Sequence, residues 1–174
     1  MSRQSTAFHE AGHAAAGLIY GFPLPRASIV QDEDSLGHVL NLWGEPCNTQ
    51  SPAACSQCSR PTCLPIQETP EGAQYVIAGV CADALHEQVL GDDEPVIRRA
   101  SEDLLHGSGR GDARSLSASL FENDGVGDLM RDTIRLLRDN WPLVESLVAA
   151  LLSHGTLSQD QLTAIYSDFR DSPT

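Results

Sequence analysis

The chain contains no lysine at all, so its eleven cationic side chains are all arginine. Against 24 Asp and Glu they leave a net charge of −13 over 174 residues. Without lysine no Walker A loop can form, because that loop needs a lysine to reach the phosphates. ATP hydrolysis by that route is excluded for these residues. The acidic excess also argues against nucleic acid and anionic membrane surfaces as partners, since neither attracts such a field. Long apolar runs are missing too: no stretch approaches the about 18 residues of a membrane span, and no basic segment leads into an apolar one near the start. A soluble, cytoplasmic protein is therefore expected. In that setting the five cysteines are expected as reduced thiols or metal ligands rather than disulfides.

What is present suits one domain with an inserted loop. The hydrophobic fraction of 41% is enough for a compact core. A first helix is expected from about Ser5 to Tyr20, capped by Ser5 or Thr6 and closed by Gly21 before Pro23. "RASIVQ" (26–31) and "LGHVLNLW" (36–43) read as two short strands joined by an acidic turn. A second helix occupies 68–90, entered through Thr69-Pro70. Residues 91–111 are polar around a short helix, and Asp112 stands near the start of another at 112–121. An amphipathic stretch comes next over 127–153, where Pro142 either kinks one helix or separates two. A last short helix is expected over 156–169, with Ser158 at its cap. The fold class expected is α+β, mostly helical with a small sheet.

The chemistry sits in the first helix, at His9-Glu10-Ala11-Gly12-His13. Residues i and i+4 share a helix face, so His9 and His13 can reach one tetrahedral zinc ion. Glu10 lies about 100° round from His9, within reach of a zinc-bound water. Zinc would lower the water's pKa towards about 7, and Glu10 would take its proton during attack on a carbonyl. Two surface histidines flanking a glutamate by accident are the bland alternative.

The surrounding sequence resembles the peptidase domain of the FtsH family. "TAFHEAGHA" is similar to the family's T-A-x-H-E-A-G-H-A helix, and "ASIVQDEDSLGHVLNL" resembles its S-I-V-P-R-G…L-G-Y-T strand pair. "IAGVCADALHEQVLG" resembles its G-G-R-A-A-E-E-I-x-x-G helix, and 135–166 resembles its closing helices. The order is kept over about residues 5–168. The resemblance implies a single FtsH peptidase-like domain over 1–174, a catalytic zinc, and metalloendopeptidase activity on peptides or unfolded protein segments. It also implies a third ligand from an aspartate at the start of a later helix. Asp112, after a glycine-rich turn and before a helical run, is preferred; Asp103 in "RASEDLL" is the alternative. Asp83 falls where the family has a glutamate and is expected to orient the metal-binding rings. His38 falls where the family often has tyrosine and would lie near the scissile bond; a half-exposed strand residue is the other reading. If the strand holding it borders the cleft, an extended peptide could pair with it. His86 and His106 are weaker candidates. Family members form rings and depend on an attached ATPase, so a homo-oligomer and a separate unfoldase or adaptor are the implied partners. A zinc-bound interaction or regulatory module without catalysis is the alternative function, and a peptidase specific for one substrate is a third.

The insertion at about 44–65 has no counterpart in that family pattern. Cys47, Cys55, Cys58 and Cys63 are spaced C-x7-C-x2-C-x4-C within 17 residues. Four thiolates so spaced can close a structural zinc knuckle in a loop too poor in apolar residues to hold itself together. An iron–sulfur cluster or two disulfides are the alternatives. Cys81, inside the second helix, reads as a small core residue.

Overall fold

The computed structural model describes residues 2–31, 37–40, 69–87, 93–107, 109, 112, 116 and 125–172. Helix α1 (Arg3–Ile19) begins at Ser2, whose hydroxyl accepts the Ser5 N–H at 3.0 Å. The cap is thus Ser2 rather than Ser5 or Thr6, because Ser2 reaches an orphan N–H of the first turn from outside the helix. Past Tyr20 the chain reverses at Gly21, whose φ of 70° favours glycine. Every residue of α1 from Thr6 to Gly17 is buried. That burial on all faces makes α1 the central rod of the fold.

Helix α2 (Pro70–Glu87) is buried from Gly72 to Leu85, apart from half-buried Gln74, and lies along α1. Thr69 starts it, its hydroxyl accepting the Gly72 N–H at 3.0 Å. The approach of the two helices is set by Gly12. A Cβ there would stand 2.4 Å from the Ala78 carbonyl oxygen and 2.6 Å from the Ala82 methyl. Helix α3 (Asp93–His106) and helix α4 (Gly125–Asp139) cover α2, and Arg138 of α4 hydrogen-bonds Asp93 at the start of α3. Helix α5 (Trp141–His154) packs on α1, with Trp141 stacked on Phe8 and Leu143, Leu147 and Leu151 buried. The amphipathic stretch is therefore two helices broken at Asn140. Proline at 142 lacks an N–H and fits the first turn of a new helix.

A small antiparallel sheet packs beside α1 and has the order β2-β1-β3. β1 (Arg26–Ser28) is central, pairing Ser28 with His38 of β2 (His38–Leu40) and with Thr156 of β3 (Thr156–Ser158). The sequence expectation of a helix starting at 156 is corrected here. Gly155, at φ 75°, ends α5, and Leu157 then enters the core opposite Ala27 as a strand residue. Only then does α6 (Gln159–Asp171) start, from a capping box of Ser158 and Gln161. Helix α3, at 14 residues, is longer than the sequence led us to expect, and β1 ends at Ser28, short of the expected 31; residues 36 and 41–43 of the second expected strand lie outside the described residues. The described residues form a mostly helical α+β fold. No described helix is long and apolar enough to cross a membrane.

Gly12→Ala is expected to destabilise the protein. Alanine gains about 1 kcal/mol of helix propensity, but its methyl would meet α2 backbone at 2.4 Å. Overpacking of that kind costs about 1–3 kcal/mol and should prevail. Thermal denaturation checks this, and an unchanged or raised melting temperature would contradict it.

Candidate metal centre

His9, Glu10 and His13 sit in the buried middle of α1, exposed by only 8%, 5% and 7%. Ionisable groups so deep require partners. The His9 ring presents Nδ1 to Asp83 Oδ2 on α2 at 2.8 Å. His13 Nδ1 lies 2.8 Å from the main-chain carbonyl oxygen of Tyr75, also on α2. A carbonyl can only accept, so Nδ1 of His13 carries the proton and donates. With Nδ1 engaged on both rings, both Nε2 atoms turn toward the same point, 3.3 Å apart. This is the arrangement that orients imidazoles as metal ligands.

Asp112 closes the triangle. Its Oδ2 stands 3.3 Å from His9 Nε2 and 3.7 Å from His13 Nε2. That oxygen is buried and has no hydrogen-bond partner among the described residues. A tetrahedral zinc ion with bonds of about 2.0–2.1 Å holds its donors about 3.3 Å apart. The two edges at His9 Nε2, both 3.3 Å, meet that requirement, and the His13–Asp112 edge, at 3.7 Å, is longer. Space is kept as well, because α2 contributes Gly79 at this point. A Cβ on Gly79 would lie 2.5 Å from His13 Nε2 and 2.7 Å from His9 Nε2. Two imidazoles and one carboxylate suit zinc. Among the described residues this is the one group of three ligand-type side chains close enough to share an ion.

Comparison with known proteins adds no family here: no protein-family model and no curated protein matches the chain.

The electrostatics also favour a cation. Burial by itself would lower the His9 pKa, but Asp112 and Asp83 outweigh it and raise it to about 10. Burial opposes the charge on His13 in the same way, and Asp112 outweighs it, so that pKa also rises. Asp112 is pushed up by burial, yet its contacts with His13 and His9 hold it well below the usual carboxylate range. Glu10 behaves differently. Burial raises its pKa, and the attraction of His13 and His9 offsets only part of the rise. Its carboxylate faces the start of β2, where a Cβ on Gly37 would stand 2.9 Å from Oε1.

The other sequence candidates lie elsewhere. Asp103 pairs with Arg99 at 3.0 Å and does not join the histidines. His86 stacks on Phe8 with ring centroids 3.6 Å apart. His106 ends α3, exposed. Cys81 is buried, which pushes its thiol far above the usual range. The main chain of His38 pairs with Ser28 in the sheet. Cys47, Cys55, Cys58 and Cys63 lie outside the described residues. Sequence reasoning missed Gly79 and the Tyr75 carbonyl. A glycine inside a helix pattern was the available signal for the first, and a main-chain acceptor leaves no signal in residue type.

Two outcomes are expected. Gly79→Ala should abolish zinc retention after dialysis while far-UV circular dichroism keeps its helical signal; zinc retained at the wild-type level would contradict the site. At neutral pH metal-free His9 holds its extra proton, since its pKa lies near 10, so zinc must displace it. Apparent zinc affinity should rise as pH climbs towards about 10 and fall as acid is added. Calorimetry in buffers of different ionisation heat measures the released protons, and no release would contradict proton displacement at His9.

Proposed function

We propose that this chain is a zinc-dependent metalloendopeptidase, similar to the FtsH peptidase domain, that cleaves peptides or unfolded protein segments. The observation that carries this reading is the convergence of His9 Nε2, His13 Nε2 and Asp112 Oδ2 at 3.3–3.7 Å beside a buried glutamate. A purely structural site has no use for that glutamate.

His9, His13 and Asp112 would hold the ion. When bound, it would supply a positive charge that polarises the scissile carbonyl and makes a nearby water more acidic. The protein's own part is to keep the donors fixed and to move protons. Asp83 and the Tyr75 carbonyl occupy both Nδ1 atoms, so neither ring can turn away. Glu10 accepts the proton of the attacking water and passes it to the leaving amine nitrogen. Its raised pKa suits both halves of that transfer, because a general acid–base works best with a pKa near the working pH. Among the described strands β2 lies at the edge of the sheet, and Gly37 just before it borders the Glu10 carboxylate. An extended substrate pairing with β2 would bring its backbone to the reacting groups. Such pairing needs an unfolded segment, consistent with a chain that has no lysine for a Walker A motor.

The test is proteolysis of an unfolded protein by zinc-loaded enzyme and by Glu10→Gln. Wild type should cleave and chelator should stop it. The variant should keep its zinc and lose about 10²–10⁴-fold in rate. Zinc bound without chelator-sensitive cleavage would point instead to an interaction module, and equal cleavage by Glu10→Gln would overturn the mechanism. Metal content separates the second proposal, a structural zinc on Cys47, Cys55, Cys58 and Cys63. About one zinc per chain means the histidine site alone, and about two means that the cysteines bind as well.

A further inference from the structure

Asp112 is the one member of the ligand triangle that neither α1 nor α2 carries, so its position depends on the turn after α3. At the end of α3 the main-chain carbonyl of Asp103 accepts the N–H of Gly107 at 2.9 Å and that of Gly109 at 3.1 Å. The Asp103 carboxylate pairs with Arg99 at 3.0 Å, and Arg99 meets Glu87 of α2 at 3.4 Å. The turn so held lays Gly109 flat on α2. A Cβ on Gly109 would lie 2.3 Å from Val80 Cγ1 and 3.1 Å from Leu104 Cα. Val80 comes directly after Gly79, the residue beneath both imidazoles. Gly109 is buried and is not among the glycines with positive φ. Alanine could adopt its backbone conformation, so what glycine contributes here is space.

Resting on the metal site proposed above, we infer that Gly109 is the positioning residue for the third ligand: its bare α-carbon on Val80 sets how deeply Asp112 enters the site. A methyl at 2.3 Å forces Gly109 and the buried Val80 apart until the contact is an ordinary one of about 3.5–4.0 Å. Asp112 comes only three residues later. A retreat of more than an ångström there exceeds the roughly 0.2 Å within which metal–ligand distances must hold. His9 and His13 are fixed separately by Asp83 and Tyr75, so the damage falls on the third ligand alone.

Four forms of the full chain test this: wild type, Gly109→Ala, Val80→Ala and the double variant. Zinc affinity is read by competition with a chromogenic chelator, and the ligand field by the visible bands of bound cobalt(II). Gly109→Ala should bind zinc about 10–100-fold more weakly and show altered cobalt bands. Val80→Ala alone removes the contact without adding bulk, so it should lose less affinity than Gly109→Ala, although its cavity lowers the melting temperature of the metal-free protein. The double variant should recover affinity and cobalt spectrum together, because removing Val80 Cγ1 makes room for the new methyl. Wild-type affinity in Gly109→Ala, or a loss that Val80→Ala does not repair, overturns the inference. Failure of wild type itself to bind zinc or cobalt is a different result, and it rejects the metal-site reading along with the inference.

Discussion

The close contact of α1 with α2 at Gly12 is the constraint on which the rest of the site depends. With no side chain at that point, α2 backbone comes within what would be 2.4 Å of a Cβ. At that distance one helix supplies the rings and the other supplies the groups that hold them. Asp83 reaches His9, the Tyr75 carbonyl reaches His13, and Gly79 leaves the space in front of both Nε2 atoms free. Move α2 outward by the width of a methyl group and all three relations fail together. The site is therefore a property of a helix pair, although its motif occupies one helix.

Such packing places ionisable groups where water cannot solvate them, and the arrangement of charge answers that cost. Asp83 and Asp112 raise the affinity of the two imidazoles for positive charge against the effect of burial. In metal-free protein protons meet that demand, and a divalent cation on the two Nε2 atoms would meet it in the same way. Glu10 is held apart from this pairing, with its carboxyl made less acidic by burial. One helix thus carries two kinds of ionisable group, set apart by the groups that face them.

The local features were legible. Ser158 as a cap, Thr69-Pro70 as a helix entry and Pro142 as a break each depend on a residue's own backbone preferences, and the fold contains all three. The spacing of His9 and His13 fixes a shared helix face in the same way. Apart from the α1 cap, which is Ser2 and not Ser5 or Thr6, the errors fell where a distant segment decides. Thr156–Ser158 has enough polar and capping character to start a helix, yet pairing with β1 and burial of Leu157 make it a strand. Asp103 and Asp112 could be ranked by the residues next to each in the chain, but their neighbours in space were beyond reach. Asp103 is occupied by Arg99, and Asp112 stands at the two rings.

By itself the sequence determined that two imidazoles and a carboxylate share one helix, because 3.6-residue periodicity is a local property. It also determined that this helix is small-sided enough to be approached closely. Only the tertiary structure decided which aspartate joins the histidines, which atoms hold their Nδ1 sides, and that a glycine on the facing helix leaves the room. Those relations join residues far apart in the chain. They depend on differences of a few tenths of an ångström in the spacing of packed backbones, and no spacing within one element encodes them.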